Sequence, residues 1–322
     1  TITKNVSSVS TTFKRQGWRS RKVGDDSTNP FPTFLDNTIN DIFFHRNRLG
    51  FLSDENVIFS EAGNYYNFFA TTALTAIDSN PIDVAVSNNQ VSILRHAVPF
   101  NEALLLFSEL QQFKVTAGDA LTPTSVSIDV STQFESSSRA KPTPAGKYVF
   151  FPFKRGSFSG IREYFIDFTN EVNDATEVTA HVPQYIPGEV TKLVSSSNED
   201  MNMYVYRYYW QGNEKLMSSW SVWKFDADIL DCEFLGSKLY VLFERTDDGV
   251  YLETLNLSTD TSASVMEDKT PVLLDRRVKL SQATASQDTV AELPYYSNKP
   301  SDIIYVTDNA RKIAEADVDA YV

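Results

Sequence analysis

The sequence has little of what enzymes and small-molecule binding proteins usually need. Cysteine occurs once in 322 residues, as Cys232, so no intramolecular disulfide can form and the core alone must hold the fold. Such cysteine usage fits assembly in a reducing cytoplasm. The 12 glycines are scattered without a GxGxxG or GxxxxGK[ST] pattern, which excludes the common phosphate-binding loops. No apolar run approaches the roughly 18 residues of a membrane-spanning helix.

Catalytic signatures are missing as well. The three histidines, His45, His96 and His181, have no second histidine or cysteine at metal-ligand spacing. Adjacent carboxylates occur in GDDS, SDEN, NED and TDDG, but every pair lies in a predicted turn, where carboxylates usually face solvent. We therefore predict no catalytic residue, no metal and no cofactor, and a protein that is not an enzyme.

Aromatic residues, in contrast, are abundant. They make up 13% of the chain, with 22 Phe and 15 Tyr, and such residues favour strands. Short apolar or alternating runs are separated by polar turns, which is the pattern of antiparallel hairpins. In KLYVLFERTDDGVYLETLNL (238–257), Asp248-Gly249 lies between two alternating runs and predicts a hairpin.

One unit of strand, polar turn, apolar strand, polar turn and strand recurs along the chain. Its central strands begin near Arg48, Ala103, Tyr148, Met203, Leu239 and Ile303. The spacing of about 50 residues is typical of propeller blades. We predict an all-β fold, a degenerate β-propeller-like array of antiparallel sheets with loop insertions. Because the repeat is irregular, tandem β-sandwiches are the alternative.

The predicted domain organisation has two parts. Residues 1–38 form an N-terminal strap that contains a basic segment, and residues 39–322 form the propeller-like β domain. Insertions rich in Ser, Thr or other polar residues are expected near 119–147 and 257–290. The first and last residues resemble no natural terminus, so we expect a fragment of a longer chain.

The basic segment KRQGWRSRK (14–22) contrasts with a net charge of −13 for the chain. Five cations surround Trp18, which would suit either a nucleic-acid-binding arm or a strap that docks on an acidic neighbour. The acidic balance of the rest favours the strap, since a negative surface repels nucleic acid at long range.

The stretch FFHRNRLGFLSDENVIFSEAGNYYNFF (43–69) combines many aromatic residues with Arg46, Asn47 and Arg48. We predict that the aromatic side chains pack between blades and that both arginines hold structure. Their guanidiniums would satisfy main-chain carbonyls or pair with carboxylates at a blade junction, because the arginine fork is a rigid donor. The candidate carboxylate partners are Asp25 and Glu61.

A family resemblance lies in this region and in the segment before it. A tryptophan and an arginine precede a GD-x-x-TNP-x-PxF turn, and an R-N-R-L-G-F strand, a V-I-x-S return, a glycine and N-F-F follow. The main positions are Trp18, Arg21, Gly24, Asp25, Asn29, Pro30, Phe34, Arg46, Asn47, Arg48, Gly50, Ser60, Gly63 and Phe68. These residues resemble the tail nozzle proteins, the tail tubular protein B family, of short-tailed, autographivirus-like bacteriophages. The specific part covers about a fifth of the chain.

The resemblance implies a structural protein of the virion tail, assembled in the host cytoplasm. It implies a ring of six copies that contacts a tail adaptor protein and tail fibre protein and lets genome DNA pass without sequence-specific binding. The expected assembly residues are Trp18, Arg21, Asp25, Asn29, Arg46, Asn47, Arg48 and Glu61. A carbohydrate-binding or polysaccharide-degrading tail domain is the alternative function.

Overall fold

The fold consists of antiparallel sheets that follow one another along the chain. The computed structural model describes residues 3–5, 8–10, 14–88, 90–100, 102–167, 172–195, 204–211, 214–225, 227–236, 238–244, 249–256, 304–308 and 311–316. Every regular element in these ranges is a β-strand. The chain divides into two compact units, residues 1–223 and residues 224–322.

The first unit begins with a short hairpin of β1 (Thr3–Asn5) and β2 (Ser8–Ser10). A four-stranded sheet follows, in the order β3 (Ile39–His45), β4 (Arg48–Ser53), β5 (Asn56–Phe59) and β6 (Ile82–Ala85). β5 is mostly buried and β4 almost entirely so, because both run through the centre of the sheet.

The second sheet has four strands in sequential order: β7 (His96–Phe100), β8 (Ala103–Phe107), β9 (Gln112–Thr116) and β10 (Ser127–Thr132). All five residues of β8, the run ALLLF, are buried. A strand that is apolar on both faces must be covered on both sides, which is the situation of a blade between two neighbours.

The third sheet contains β11 (Thr143–Ala145), β12 (Tyr148–Arg155), β13 (Phe158–Asp167) and β14 (Val172–Glu177), with β15 (Ile186–Pro187) paired to β13. A hairpin of β16 (Tyr204–Gln211) and β17 (Glu214–Val222) ends the first unit. Trp220 of β17 packs against the third sheet, and its indole N–H donates to the carbonyl of Val178 at 3.1 Å.

The second unit contains a three-stranded sheet of β18 (Asp228–Leu235), β19 (Lys238–Glu244) and β20 (Val250–Asn256). β19 and β20 pair as the hairpin predicted around Asp248-Gly249. Cys232 is a buried residue of β18. A two-stranded sheet of β21 (Ile304–Asp308) and β22 (Arg311–Ala316) follows.

The core of the first unit lies between successive sheets. One apolar cluster joins the first and second sheets, with Phe43 and Phe59 packed near Leu104 and Phe113. Another joins the second and third sheets, where the rings of Phe107 and Phe151 lie 5.3 Å apart. The all-β, propeller-like fold is confirmed: consecutive strands form each small sheet, and in the first unit the first sheet packs on the second and the second on the third.

The six predicted central strands correspond to β4, β8, β12, β16, β19 and β21, each within a residue or two of its predicted start. The predicted insertion near 119–147 contributes β10 to the second sheet and β11 to the third. The insertion near 257–290 lies outside the described residues. The boundary between a strap at 1–38 and a domain at 39–322 stays a prediction.

Candidate assembly site

The predicted assembly residues surround the turn between β3 and β4. His45 pairs with Arg48, which leaves Arg46 and Asn47 as a two-residue hairpin loop. Both loop residues have positive φ, 44° and 60°. The type I′ turn that joins two strands most tightly requires this conformation, and asparagine tolerates it well. The turn sends the side chains of both arginines toward the second sheet.

Arg48 is a fully buried cation that is held by the main chain. Its side chain is 1% exposed, and its two terminal nitrogens donate to five carbonyls. The acceptors are Ser60 at 2.7 Å, Asp78 at 2.7 Å, Asn80 at 2.7 Å, Ser79 at 3.3 Å and Leu121 at 3.0 Å. Burial lowers the pKa of Arg48, and the nearby Glu61 carboxylate opposes that shift. The guanidinium thus joins β4 to both ends of the loop between β5 and β6 and to the loop between β9 and β10.

Arg46 makes a second, more exposed connection. Its two terminal nitrogens donate to the carbonyls of Glu102 and Gly118, both at 3.1 Å. Glu102 lies in the turn between β7 and β8, and Gly118 follows β9. The two arginines of one hairpin therefore fix the first sheet against the second from two directions.

Asn47 and Glu61 organise the loop that follows β5. The Asn47 amide oxygen accepts from the Tyr65 hydroxyl at 2.6 Å. One oxygen of the Glu61 carboxylate accepts from the side-chain amides of Asn64 and Asn67, at 2.7 and 2.8 Å. This local network gives the loop its shape and holds it beside the Arg48 guanidinium.

The strap packs on the outer face of the first sheet. The ring of Trp18 lies 6.2 Å from Phe51, 6.0 Å from Phe68 and 5.7 Å from Tyr66. Arg21 bonds Asp26 at 2.6 Å and the carbonyl of Asn29, and its guanidinium lies over the ring of Phe31.

The turn GDDSTNP joins the strap to the same loop. The Asp25 carboxylate accepts from the backbone N–H and the hydroxyl of Thr28 and from the backbone N–H of Ser27, and these bonds lower its pKa. Asn29, only 4% exposed, donates to the carbonyls of Val23 and Ala70 and accepts from the N–H of Ala70. One asparagine thereby anchors the strap to the loop that follows β5.

Neither predicted carboxylate is a hydrogen-bond partner of either arginine. Asp25 caps its own turn, and Glu61 bonds two asparagines while acting on Arg48 only through its charge. The pairing of the arginines with these carboxylates is therefore wrong, and main-chain carbonyls are the acceptors. One carboxylate cannot satisfy a buried fork with five N–H groups, whereas loop carbonyls can converge on it.

The prediction of inter-blade aromatic packing holds for some residues only. Phe43 and Phe59 lie in the core between the first two sheets, while Phe51 and Phe68 lie beneath the strap. Phe44 is 51% exposed and contacts Tyr65 edge-on, with the ring centroids 5.0 Å apart. Successive side chains of β3 point to opposite faces of the sheet, so the side chain of Phe44 points away from the core.

Sequence reasoning missed Asp41, which joins three parts of the first unit. Asp41 lies at a β-bulge in β3, accepts from the N–H of Ala97 in β7 at 2.8 Å and forms an ion pair with Lys141 at 2.7 Å. A lone aspartate inside a strand pattern was the available signal, since such a residue needs a partner.

The described residues contain no group of three or more His, Cys, Asp or Glu side chains that could hold a metal ion. Within the same residues, no helix has the length and apolar character needed to cross a bilayer. The residues of this site instead make structural contacts: buried polar side chains connect successive sheets and the strap.

The sequence matches the bacteriophage nozzle protein family over residues 7–320, and the chain belongs to that family of structural phage tail proteins. It is also 35% identical to the tail tubular protein gp12 of Escherichia phage T7 over 292 residues. That match covers 86% of this chain and 36% of the T7 protein, so the chain spans about a third of its relative's length.

Similarity to solved structures is weaker. Hsv2 of Kluyveromyces lactis matches with a TM-score of 0.42 and 13% identity, covering 73% of this chain and 64% of that one. A quinonprotein alcohol dehydrogenase-like protein of Bacteroides thetaiotaomicron matches with a TM-score of 0.35 and 11% identity, covering 67% and 63%. Likenesses at these TM-scores support no conclusion about function.

Proposed function

We propose that this chain is part of a ring-shaped nozzle at the distal end of a phage tail. Six copies surround a channel through which genome DNA leaves the particle. The ring contacts an adaptor ring on one side and tail fibres on the other, and it assembles in the host cytoplasm. The family match over residues 7–320 is the observation that carries this proposal.

The fold suits such a role because its connections resist deformation. Buried polar groups that are fully hydrogen-bonded favour one arrangement over alternatives, since any shift leaves them unsatisfied in an apolar environment. Arg48 joins β4 to residues 60 and 78–80 of one loop and to residue 121 of another in this way. A nozzle under the force of DNA ejection needs this kind of rigidity more than it needs a reactive group.

The acidic balance of the chain supports a conduit rather than a DNA-binding protein. Duplex DNA carries one phosphate charge per roughly 1.7 Å, and cationic side chains bind it by releasing counterions. Copies that each carry a net charge of −13 would instead surround the duplex with a negative field that repels it. We expect an acidic or mixed wall, with the basic segment at 14–22 away from the channel.

The test is to image the purified full-length protein by electron microscopy and to measure its binding to duplex DNA at low salt. A ring with sixfold symmetry and weak DNA binding supports the proposal. Cleavage of host polysaccharide by a monomeric protein would instead support a carbohydrate-active tail domain. Tight, salt-sensitive DNA binding by an intact ring would contradict the conduit while leaving the ring itself in place.

A further inference from the structure

The strap carries four cations whose role the fold leaves unexplained. Residues 14–20 are all exposed, and so is residue 22. Lys14, Arg15, Arg19 and Lys22 have no side-chain hydrogen bond or ion pair with another described residue, whereas the neighbouring Arg21 pairs with Asp26. The main chain of the segment is nonetheless fixed at Arg19, whose backbone N–H donates to the carbonyl of Tyr66 at 2.9 Å.

Apolar surface lies beside these cations. Trp18 packs one side of its ring on the first sheet and remains 54% exposed, and Tyr66, in edge-to-face contact with it, is 42% exposed. Together they form a fixed aromatic patch within a basic surface. Aromatic residues and arginine are the types most enriched at the centres of protein interfaces.

A surface of opposite character occurs on β18. Asp228, Asp231 and Glu233 are exposed, and no basic residue lies within the strand. The same strand exposes apolar side chains, with Leu230 at 49% and Leu235 at 72%. Among the described strands β18 pairs with β19 alone, which makes it the outer strand of the described three-stranded sheet. Exposed edges with apolar side chains favour association with another chain.

We propose that the strap of one copy, residues 14–22 with Tyr66, docks on β18 of a second copy. Each surface combines charge with apolar area, and the two charges are opposite, which is the complementarity that selects partners. Because the two surfaces differ, the contact is heterologous, and successive copies joined in this way form a ring when the rotation from one copy to the next closes. The inference rests on the proposed ring and identifies the contact that holds it together.

Charge-swap variants of the full-length protein test this contact. Arg15→Glu with Arg19→Glu reverses the charge at two positions of the strap. Asp228→Arg with Glu233→Arg reverses the charge at two positions of β18. The matched control is Lys154→Glu with Lys224→Glu, which makes the same charge change at exposed positions outside the strap and β18. Mass photometry gives the oligomeric state across protein concentrations, and circular dichroism with thermal melting checks that each variant is folded.

We expect each reversed pair to raise the protein concentration needed for assembly by at least about tenfold, since like charges then face each other. The protein that carries both reversed pairs should assemble again, and the control should assemble as the wild type does. Higher salt should weaken wild-type assembly, because exposed charges are screened within about 10 Å at 0.1 M.

The possible outcomes distinguish a failure of the proposed docking contact from a failure of the proposed ring. If wild-type protein remains monomeric, the proposed ring fails. If wild-type and strap-reversed proteins form the same rings, the ring stands and the docking contact is wrong. Loss of DNA binding in the strap variant, with assembly unchanged, would make the strap a nucleic-acid arm and overturn the proposal. Failure of the double swap to restore assembly would also contradict direct pairing of the two surfaces.

Discussion

Phe43 lies across Gly50, its direct neighbour on the adjacent strand. A Cβ added to Gly50 would lie 2.2 Å from Cζ of the Phe43 ring, well inside contact distance. The third sheet repeats this arrangement, since a Cβ on Gly160 would lie 2.3 Å from its cross-strand neighbour Phe153. An aromatic ring that covers a glycine protects a weak point of a sheet. Two blades with little sequence in common thus share the same cross-strand pairing of an aromatic ring with a glycine.

Replacing Gly50 with alanine should therefore destabilise the first sheet. The added methyl group must displace the buried Phe43 ring, and overpacking of this kind costs about 1–3 kcal/mol. Gly17→Ala is the control, because a Cβ there meets nothing within 4 Å. Urea unfolding monitored by tryptophan fluorescence measures both. In the Phe43→Leu background the cost of Gly50→Ala should shrink; an unchanged cost would show that the ring is not the obstacle.

Arg48→Ala should be among the most destabilising single changes in the first unit. It leaves the carbonyls that Arg48 now satisfies without a donor, and each unsatisfied buried polar group costs about 1–3 kcal/mol. We expect a loss of more than about 3 kcal/mol, or failure to fold. Arg46→Ala, in the same turn but exposed, should cost about 1 kcal/mol. Equal effects in denaturant titrations would contradict the central role of Arg48.

Asn29→Ala should release the strap from the first sheet without unfolding the sheets. The side chain makes three hydrogen bonds, to Val23 and to both main-chain groups of Ala70. We expect trypsin to cleave within residues 14–22 at least about tenfold faster, because local release exposes the backbone to the protease. Asn37→Ala, at an exposed position, is the control. Unchanged cleavage would show that the aromatic contacts of Trp18 hold the strap alone.

The free energy of unfolding should fall as the pH drops from about 6.5 to about 4. Burial, with help from the charge of Arg46, lowers the pKa of His45 from 6.5 to about 4, so in this window the unfolded chain binds a proton that the folded chain does not. Burial also lowers the pKa of His96, which acts in the same direction.

The substitution His45→Gln should flatten this pH dependence. A pKa shift of that size corresponds to a loss of roughly 3 kcal/mol in the free energy of unfolding between neutral pH and pH 4. Urea titrations at several pH values measure how steeply the free energy of unfolding changes with pH. His181→Gln, at an exposed position, is the control. A slope in His45→Gln equal to that of the wild type would show that His45 does not carry the effect.

Local patterns made most of the fold predictable. The strands β4, β8 and β12 are apolar runs bounded by polar turns, and hairpins between sequence neighbours need no distant information. The position of β10 was harder to predict. Its residues SIDVST are mostly exposed or half-buried, so its apolar pattern is weak, and a ten-residue connection separates it from β9.

The assembly residues could be recognised, but their partners could not. Arg48 stands out in RNRLGF, yet its acceptors lie 12 to 73 residues away and are main-chain carbonyls, which every residue has. Only the packing of the loops around β4 decides which carbonyls converge. Glu61 appeared to be a suitable counter-ion because of its charge, but its hydrogen bonds go to asparagines three and six residues further along its own loop.

The central claim, a ring-forming nozzle that conducts DNA, is tested most directly by a cryo-electron microscopy map of the assembled full-length protein. Our account predicts a closed ring of six copies whose channel wall is acidic or mixed in charge at its narrowest part, with residues 14–22 away from the channel. A monomer, or a continuous collar of Lys and Arg around that narrowest part, would contradict it.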